Sequence, residues 1–305
     1  MTPLHVVGMH GLGDNLHQRA IVRQLLQRHE VWLETPWPCV YHDMPALCLV
    51  DRGSRLRTQA KNASREAARY TRAPVPPAAG RLQVAYRPDQ VRAAGSVLGA
   101  MAASCGVIAG DFRLPIPSAW AAKADALIAQ WAPSRPLLIY RPLVERREWG
   151  GCPSRNPDHA AYSALFLAIR QHFFVVSIAD LAPRVEWMVG EPADADVRLH
   201  SGELDFETIA ALTARAGLVF CSPGFMVITA QAVGVPVACV FGGYESGRSF
   251  SAGARWAPYL PIEPIHPCEC FSHAHGCRKA IDMPAALARL QRFVDETSSH
   301  PAIAA

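Results

Sequence analysis

Short apolar runs alternate with helical periodicities along most of the chain. Leu4-His5-Val6-Val7 is apolar and β-branched, which predicts a buried strand. After the run Gly8-Met9-His10-Gly11-Leu12-Gly13, the residues Leu16, Ile21, Val22, Leu25 and Leu26 recur at helical spacing, with Arg19, Arg23 and Arg28 on other faces. The segment reads as strand, glycine-rich turn and helix. Strands are expected at 31–34, within 42–50 and at 82–86. A helix is expected over 58–70 with Arg65, Arg69 and Arg72 along one side, ended by Pro74 to Pro77. Residues 90–103 predict a helix of small residues, 111–117 a loop, and 118–131 another helix.

The rhythm restarts beyond Ala132-Pro133-Ser134-Arg135-Pro136. Strands are expected at 137–140, 173–178, 217–221 and 235–241. Helices are expected at 158–171 with Asp158 as cap, 206–215, 225–233 and about 284–297. Residues 141–157 read as a polar loop, and 184–189 as the start of a short helix. Two such alternations predict an α/β protein of two Rossmann-like, doubly wound domains facing across a cleft. The Pro-rich break sets their limits at 1–133 and 134–305, with the last helix free to pack back on the first domain.

Composition narrows the class. Half of the 305 residues are hydrophobic, enough for two cores. No apolar run reaches the roughly 18 residues of a membrane-spanning helix, and no charged leader precedes a long apolar segment. Nine scattered cysteines, an odd number, suit a reducing cytoplasm better than a disulfide scaffold. The net charge of +4 is uneven. Residues 1–135 hold 16 basic against 9 acidic groups, and residues 52–92 alone hold ten against two.

Two turns of the second half suit an anion. Ser222-Pro223-Gly224 leads through Phe225 into a helix amino terminus, whose amides and dipole favour phosphate. Gly242-Gly243 follows a buried strand and brings Tyr244 and Glu245 beside it, the latter suited to a ribose hydroxyl. In the first half, Gly11 and Gly13 permit close approach of a bound group. Asp14 there either caps the helix or acts as a base, flanked by His10 and His17.

Gly-Leu-Gly-Asp near the start and Pro-Gly-x4-Thr-Ala-Gln-Ala-x-Gly-x-Pro followed by Phe-Gly-Gly resemble motifs of the heptosyltransferase-like glycosyltransferases, the ADP-heptose:lipopolysaccharide heptosyltransferase type. The resemblance is specific at residues 8–26 and 217–243. It implies a GT-B fold whose second domain binds a nucleotide-diphosphate sugar, and an inverting, metal-independent transfer with Asp14 as general base. It places Ser222, Pro223, Gly224 and Phe225 along the donor phosphates, and one of Arg141, Arg146 and Arg147 where the family carries a lysine. The family's Asp-Thr-Gly and later His are replaced here by Ser222-Pro223-Gly224 and Val227.

The basic stretch, with Arg52, Arg55, Arg57, Lys61 and Arg65, predicts a polyanionic acceptor bound by the first domain, with His10 and His17 beside Asp14 placed to orient the base or contact that acceptor. Arginine density with Tyr70 and Tyr86 interleaved leans toward double-stranded DNA carrying a hydroxymethylated pyrimidine, whose base would be flipped toward Asp14. The alternatives are a phosphorylated lipopolysaccharide core and a catalytically inactive nucleotide- or nucleic-acid-binding module. Cys268, Cys270 and Cys277 lie among histidines, but Cys-x-Cys is tighter than common zinc spacing. No metal and no cofactor are therefore expected.

Overall fold

A computed structural model describes residues 1–273 and 275–298. The chain divides into two compact units between Pro115 and Ile116. In the first unit, strands β1 (Thr2–Val7), β2 (His29–Glu34), β3 (Cys48–Val50) and β4 (Gly80–Gln83) form a parallel sheet in the order β3-β2-β1-β4. Helices α1 (Leu12–Leu25), α2 (Arg57–Glu66), α3 (Pro88–Ala94) and α4 (Val97–Ser104) accompany it. Val6, Leu16, Ile21, Val31 and Leu33 are buried in its core, as the apolar spacing predicts. The helix expected over 90–103 is two helices. Gly95, at φ 79°, ends α3, and Ser96 caps α4 by accepting the Gly99 N–H.

The second unit contains α5 (Ser118–Trp131), β5 (Leu137–Tyr140), β6 (Val144–Arg146), α6 (His159–Arg170), β7 (Phe174–Ile178), β8 (Glu186–Met188) and β9 (Val197–Leu199). It continues through α7 (Phe206–Ala214), β10 (Leu218–Cys221), α8 (Phe225–Ala232), β11 (Val237–Val240), β12 (Tyr259–Ile262) and α9 (Met283–Ser298). Its main sheet is parallel, in the order β12-β11-β10-β5-β7-β9. The first strand, β5, is central, and the winding reverses between it and β10, which is the Rossmann order. β5, β10 and β11 are wholly buried, which accounts for their continuous apolar runs. Asp158 caps α6 by accepting the Ala161 N–H, as expected.

Four further expectations change. Residues 186–188 form a strand paired antiparallel with β6, because Glu186 stands opposite Arg146 and its buried carboxylate needs that partner. The division at 115/116 assigns α5 to the second unit. There Lys123 binds Asp205 and Glu207 at the start of α7, and Arg215 pairs with Asp125. The last helix spends its apolar stripe, Ala286, Leu290 and Val294, on the second unit's own core beside α6. Arg19 is fully buried rather than on a polar face of α1, because Asp43 meets it inside the fold.

Candidate functional site

The glycine-rich loop after β1 is fixed by buried amides. Asn15 Nδ2 donates to the carbonyls of Met9 and Gly11, each at 2.8 Å, while Gln18 Oε1 accepts the Met9 N–H at 2.8 Å. The Thr35 and Tyr41 hydroxyls donate to Asn15 Oδ1 at 2.7 and 3.0 Å. Trp37 Nε1 and Gln59 Nε2 both donate to the His10 carbonyl at 2.9 Å. This network sets the backbone on either side of Asp14, so the carboxylate is placed by the core rather than by a mobile loop.

Asp14 lies half-buried in the first turn of α1, where the helix dipole favours a negative charge. The Tyr86 hydroxyl, from the segment after β4, donates to its Oδ1 at 3.2 Å. β1 and β4 are neighbours and β2 lies on the far side of β1, so Asp14 sits at the switch point of the first sheet. The cap of α1 is Gly11, not Asp14. A Cβ on Gly11 would approach Asp14 Oδ2 to 2.5 Å, so glycine is required for the carboxylate to lie there. Gly13 is buried beside it.

His10 and His17 differ sharply. His10 is half-buried, and burial followed by the charges of Arg52 and Arg55 lowers its pKa. The Glu34 carboxylate opposes the two arginines. His17 faces the core, edge-on to Phe112 with ring centroids 4.9 Å apart, and burial depresses its pKa to about 3. It is a neutral packing residue, which corrects the expectation that it contacts the acceptor. Arg52 is held by Glu34, so part of the basic stretch is neutralised within the unit. Arg55 and Arg65 are exposed, and Arg57 and Lys61 half-buried. α2 turns Gln59, Asn62 and Glu66 inward, where Asn62 binds the Pro36 carbonyl and Glu66 accepts the Cys39 N–H.

In the second unit, the segments after β5, β10 and β11 leave adjacent strands at the same edge of the sheet. Arg141 is buried immediately after β5. It donates to the Ile178 carbonyl at 2.9 Å, pairs with Glu186 at 3.4 Å, and stands 5.5 Å over the Phe225 ring. Glu186 also pairs with Arg146 at 2.9 Å, and Arg146 lies 4.9 Å over the Trp149 ring. Arg147 is exposed. Gly224 caps α8 and brings no side chain to its first-turn amides. Ser222 and Phe225 are half-buried, and Pro223 is buried.

Glu245 is occupied by Arg155, which reaches both carboxylate oxygens at 2.9 and 3.0 Å. That bidentate pair explains why Glu245 tolerates burial. Arg155 was not legible as a site residue, because the polar run 141–157 gives several arginines no order. Gly242 packs against backbone, and a Cβ there would lie 2.2 Å from the Asn156 carbonyl oxygen. Gly242→Ala is therefore expected to cost about 1–3 kcal/mol in denaturant unfolding, since the segment carrying Arg155 must move. An effect under about 0.5 kcal/mol, the size of an ordinary surface change, would refute the close approach.

Cys268, Cys270, His275 and Cys277 converge, with their ligand atoms all within 4.8 Å of one another. The adjoining backbone holds the loop after β11. The Glu269 N–H donates to the Gly243 carbonyl at 2.9 Å and the Phe271 N–H to the Tyr244 carbonyl at 3.1 Å.

Two parallel α/β units, the second in Rossmann order, match the GT-B fold seen in glycosyltransferases. The fold is that of the heptosyltransferase-like members, in accord with the motif resemblance. The chain is similar to a glycosyl transferase of family 9 from Veillonella parvula, with a TM-score of 0.61, 13% identity, and 97% of this chain and 98% of that chain covered. It is similar also to TibC of enterotoxigenic Escherichia coli, an iron-containing dodecameric glycosyltransferase (0.60, 14%, 98% and 76% covered). A third similar structure is the E. coli ADP-heptose lipopolysaccharide heptosyltransferase II (0.55, 14%, 97% and 100% covered). No protein-family model and no curated protein sequence matches the chain. No helix among the described residues is long and apolar enough to cross a membrane.

Proposed function

We propose that this protein is a cytoplasmic glycosyltransferase that moves a sugar from a nucleoside-diphosphate sugar to a hydroxyl of an anionic saccharide. One observation carries the proposal. The Rossmann order of the second sheet gathers Arg141, the α8 amino terminus at Gly224 and Phe225, and the Gly242–Glu245 loop at adjacent carboxyl ends of its strands. Main-chain amides and a buried guanidinium suit a diphosphate. As the bond from the anomeric carbon to the phosphate oxygen breaks, these groups stabilise the charge left on the diphosphate, with no metal needed at the reacting atoms.

The first unit supplies the base. The acceptor oxygen forms its bond to the anomeric carbon as its proton passes to the Asp14 carboxylate. A single displacement of this kind inverts the anomeric centre. Arg55, exposed in the basic stretch beside His10, suits a phosphorylated acceptor. Lipopolysaccharide is the example given by the name of the structurally similar heptosyltransferase II. The lean toward hydroxymethylated DNA gains no support. Arg52 and Arg72 spend their charge on Glu34 and Asp51, and none of the similar structures named above is described as acting on DNA.

The test is incubation with a panel of nucleotide-sugars and three acceptors: phosphorylated core oligosaccharide, its dephosphorylated form, and hydroxymethylated duplex DNA. Mass spectrometry should find one added sugar on the phosphorylated saccharide. Gain on the DNA alone would reverse the acceptor assignment. Neither transfer nor hydrolysis of any donor would favour an inactive binding module.

A further inference from the structure

The described residues between β12 and α9 form neither helix nor strand, yet four soft ligands meet there. His275 Nδ1 lies 3.4 Å from both Cys268 Sγ and Cys277 Sγ, and Cys270 Sγ lies 3.5 Å from Cys277 Sγ. With Zn–S of about 2.3 Å and Zn–N of about 2.0–2.1 Å, tetrahedral ligand pairs stand about 3.5–3.8 Å apart. These three separations need only small adjustment, and the widest of the set, within 4.8 Å, closes by about 1 Å on binding. Three thiolates and one imidazole complete the coordination and leave no open position, which is the structural rather than the catalytic kind of zinc site.

We infer that Cys268, Cys270, His275 and Cys277 bind one zinc ion, and that the resulting knuckle clamps the loop after β11. Binding would release the three thiol protons to water and leave the site with one net negative charge. The spacing that argued against zinc is short because the backbone doubles back at once. Glu269 and Phe271 adopt φ of 50° and 51°, the left-handed region that residues with a Cβ rarely occupy. Both thereby direct their N–H groups to the carbonyls of Gly243 and Tyr244.

Further contacts extend the clamp. Tyr244 packs against the rings of Phe271 and His273, at 5.5 and 5.6 Å. Ser154 Oγ donates to the Ser272 carbonyl at 3.0 Å, and Lys279 Nζ to the Pro153 carbonyl at 2.6 Å. The knuckle thus grips both the loop that carries Glu245 and the one that carries its partner Arg155. A role in donor binding rests on the function proposed above, but the metal assignment does not.

The test begins with the full chain purified under reducing conditions without chelator or affinity metal. Elemental analysis should give about one zinc per chain, and titration with a mercurial reagent should release it as the thiols react. Cys270→Ser and His275→Ala should lose the zinc, whereas Cys105→Ser, in the first unit, should keep it. Should the ligand variants fail to fold, mercurial release from the unaltered chain still decides the matter. Zinc removal should also raise amide hydrogen exchange at residues 242–245 in the absence of any sugar donor. Absence of metal from the freshly purified protein, stoichiometric iron in place of zinc, or a Cys270–Cys277 disulfide in the protein as isolated would each overturn the assignment. Normal zinc without glycosyl transfer would leave the site standing and fail only the functional reading.

Discussion

Asp14→Asn is expected to lower kcat by about 10²–10⁴-fold, the usual worth of a positioned general base. The substitution keeps the shape of the side chain and an oxygen for the Tyr86 hydroxyl, so the loop network around it should persist. The donor contacts are assigned to the second unit, so donor affinity should change less than about twofold, a few tenths of a kcal/mol. The loss then falls on kcat and kcat/KM together, the signature of an interaction made in the transition state. Steady-state kinetics with donor binding measured by calorimetry separates the two quantities. Equal weakening of donor binding and turnover would make Asp14 a binding residue and remove it as the base.

Asp43→Ala should unfold the first unit far more easily, by about 3–5 kcal/mol, because it strands a buried charge. Arg19 is fully buried and makes a bidentate pair with Asp43 at 2.9 and 2.8 Å. It also donates to the carbonyls of Val40 and Arg113, and Arg23 reaches the same carboxylate at 2.8 Å. Burial alone would raise the Asp43 pKa, but hydrogen bonds and charge from Arg19 and then Arg23 hold it at about 2. The folded value lies below the unfolded value of about 3.9. The stabilisation is therefore present above pH about 4 and disappears as the pH falls toward 2. Calorimetry of the two proteins should show a large gap at pH 7 that narrows below pH 4. A difference under about 1 kcal/mol at pH 7, the worth of an exposed pair, would show that the clasp is ornamental to stability.

The strands were legible because continuous apolar runs have few other uses. β5 and β10 lie within a residue of their expected limits, since both are buried on two faces. The turns that carry Asp14, Ser222 to Gly224 and Gly242-Gly243 could be located because each follows such a run. What could not be read is polar burial. Asn15, Gln18 and Arg19 have the composition of a solvated helix face, and only distant partners such as Thr35, Tyr41 and Asp43 make them interior. Arg155 likewise turns inward only through its distant partner Glu245, and His17 is a core residue whose sequence position beside Asp14 suggests an acceptor contact. Residues 186–188 form a strand rather than the expected helix start, since a three-residue strand leaves no period to recognise and its cause is an ion pair across 40 positions. The cysteine group was legible in chemistry but not in geometry, since sequence spacing does not reveal where a chain folds back.

The most direct test of the donor assignment is hydrogen–deuterium exchange with and without a saturating nucleoside-diphosphate sugar. Protection is predicted in the peptides that span residues 222–226 and 242–245, with Arg141→Ala abolishing it at the same ligand concentration. Protection confined to residues 52–65, or none at any concentration that saturates binding, would contradict a diphosphate seated at the switch point of the second sheet.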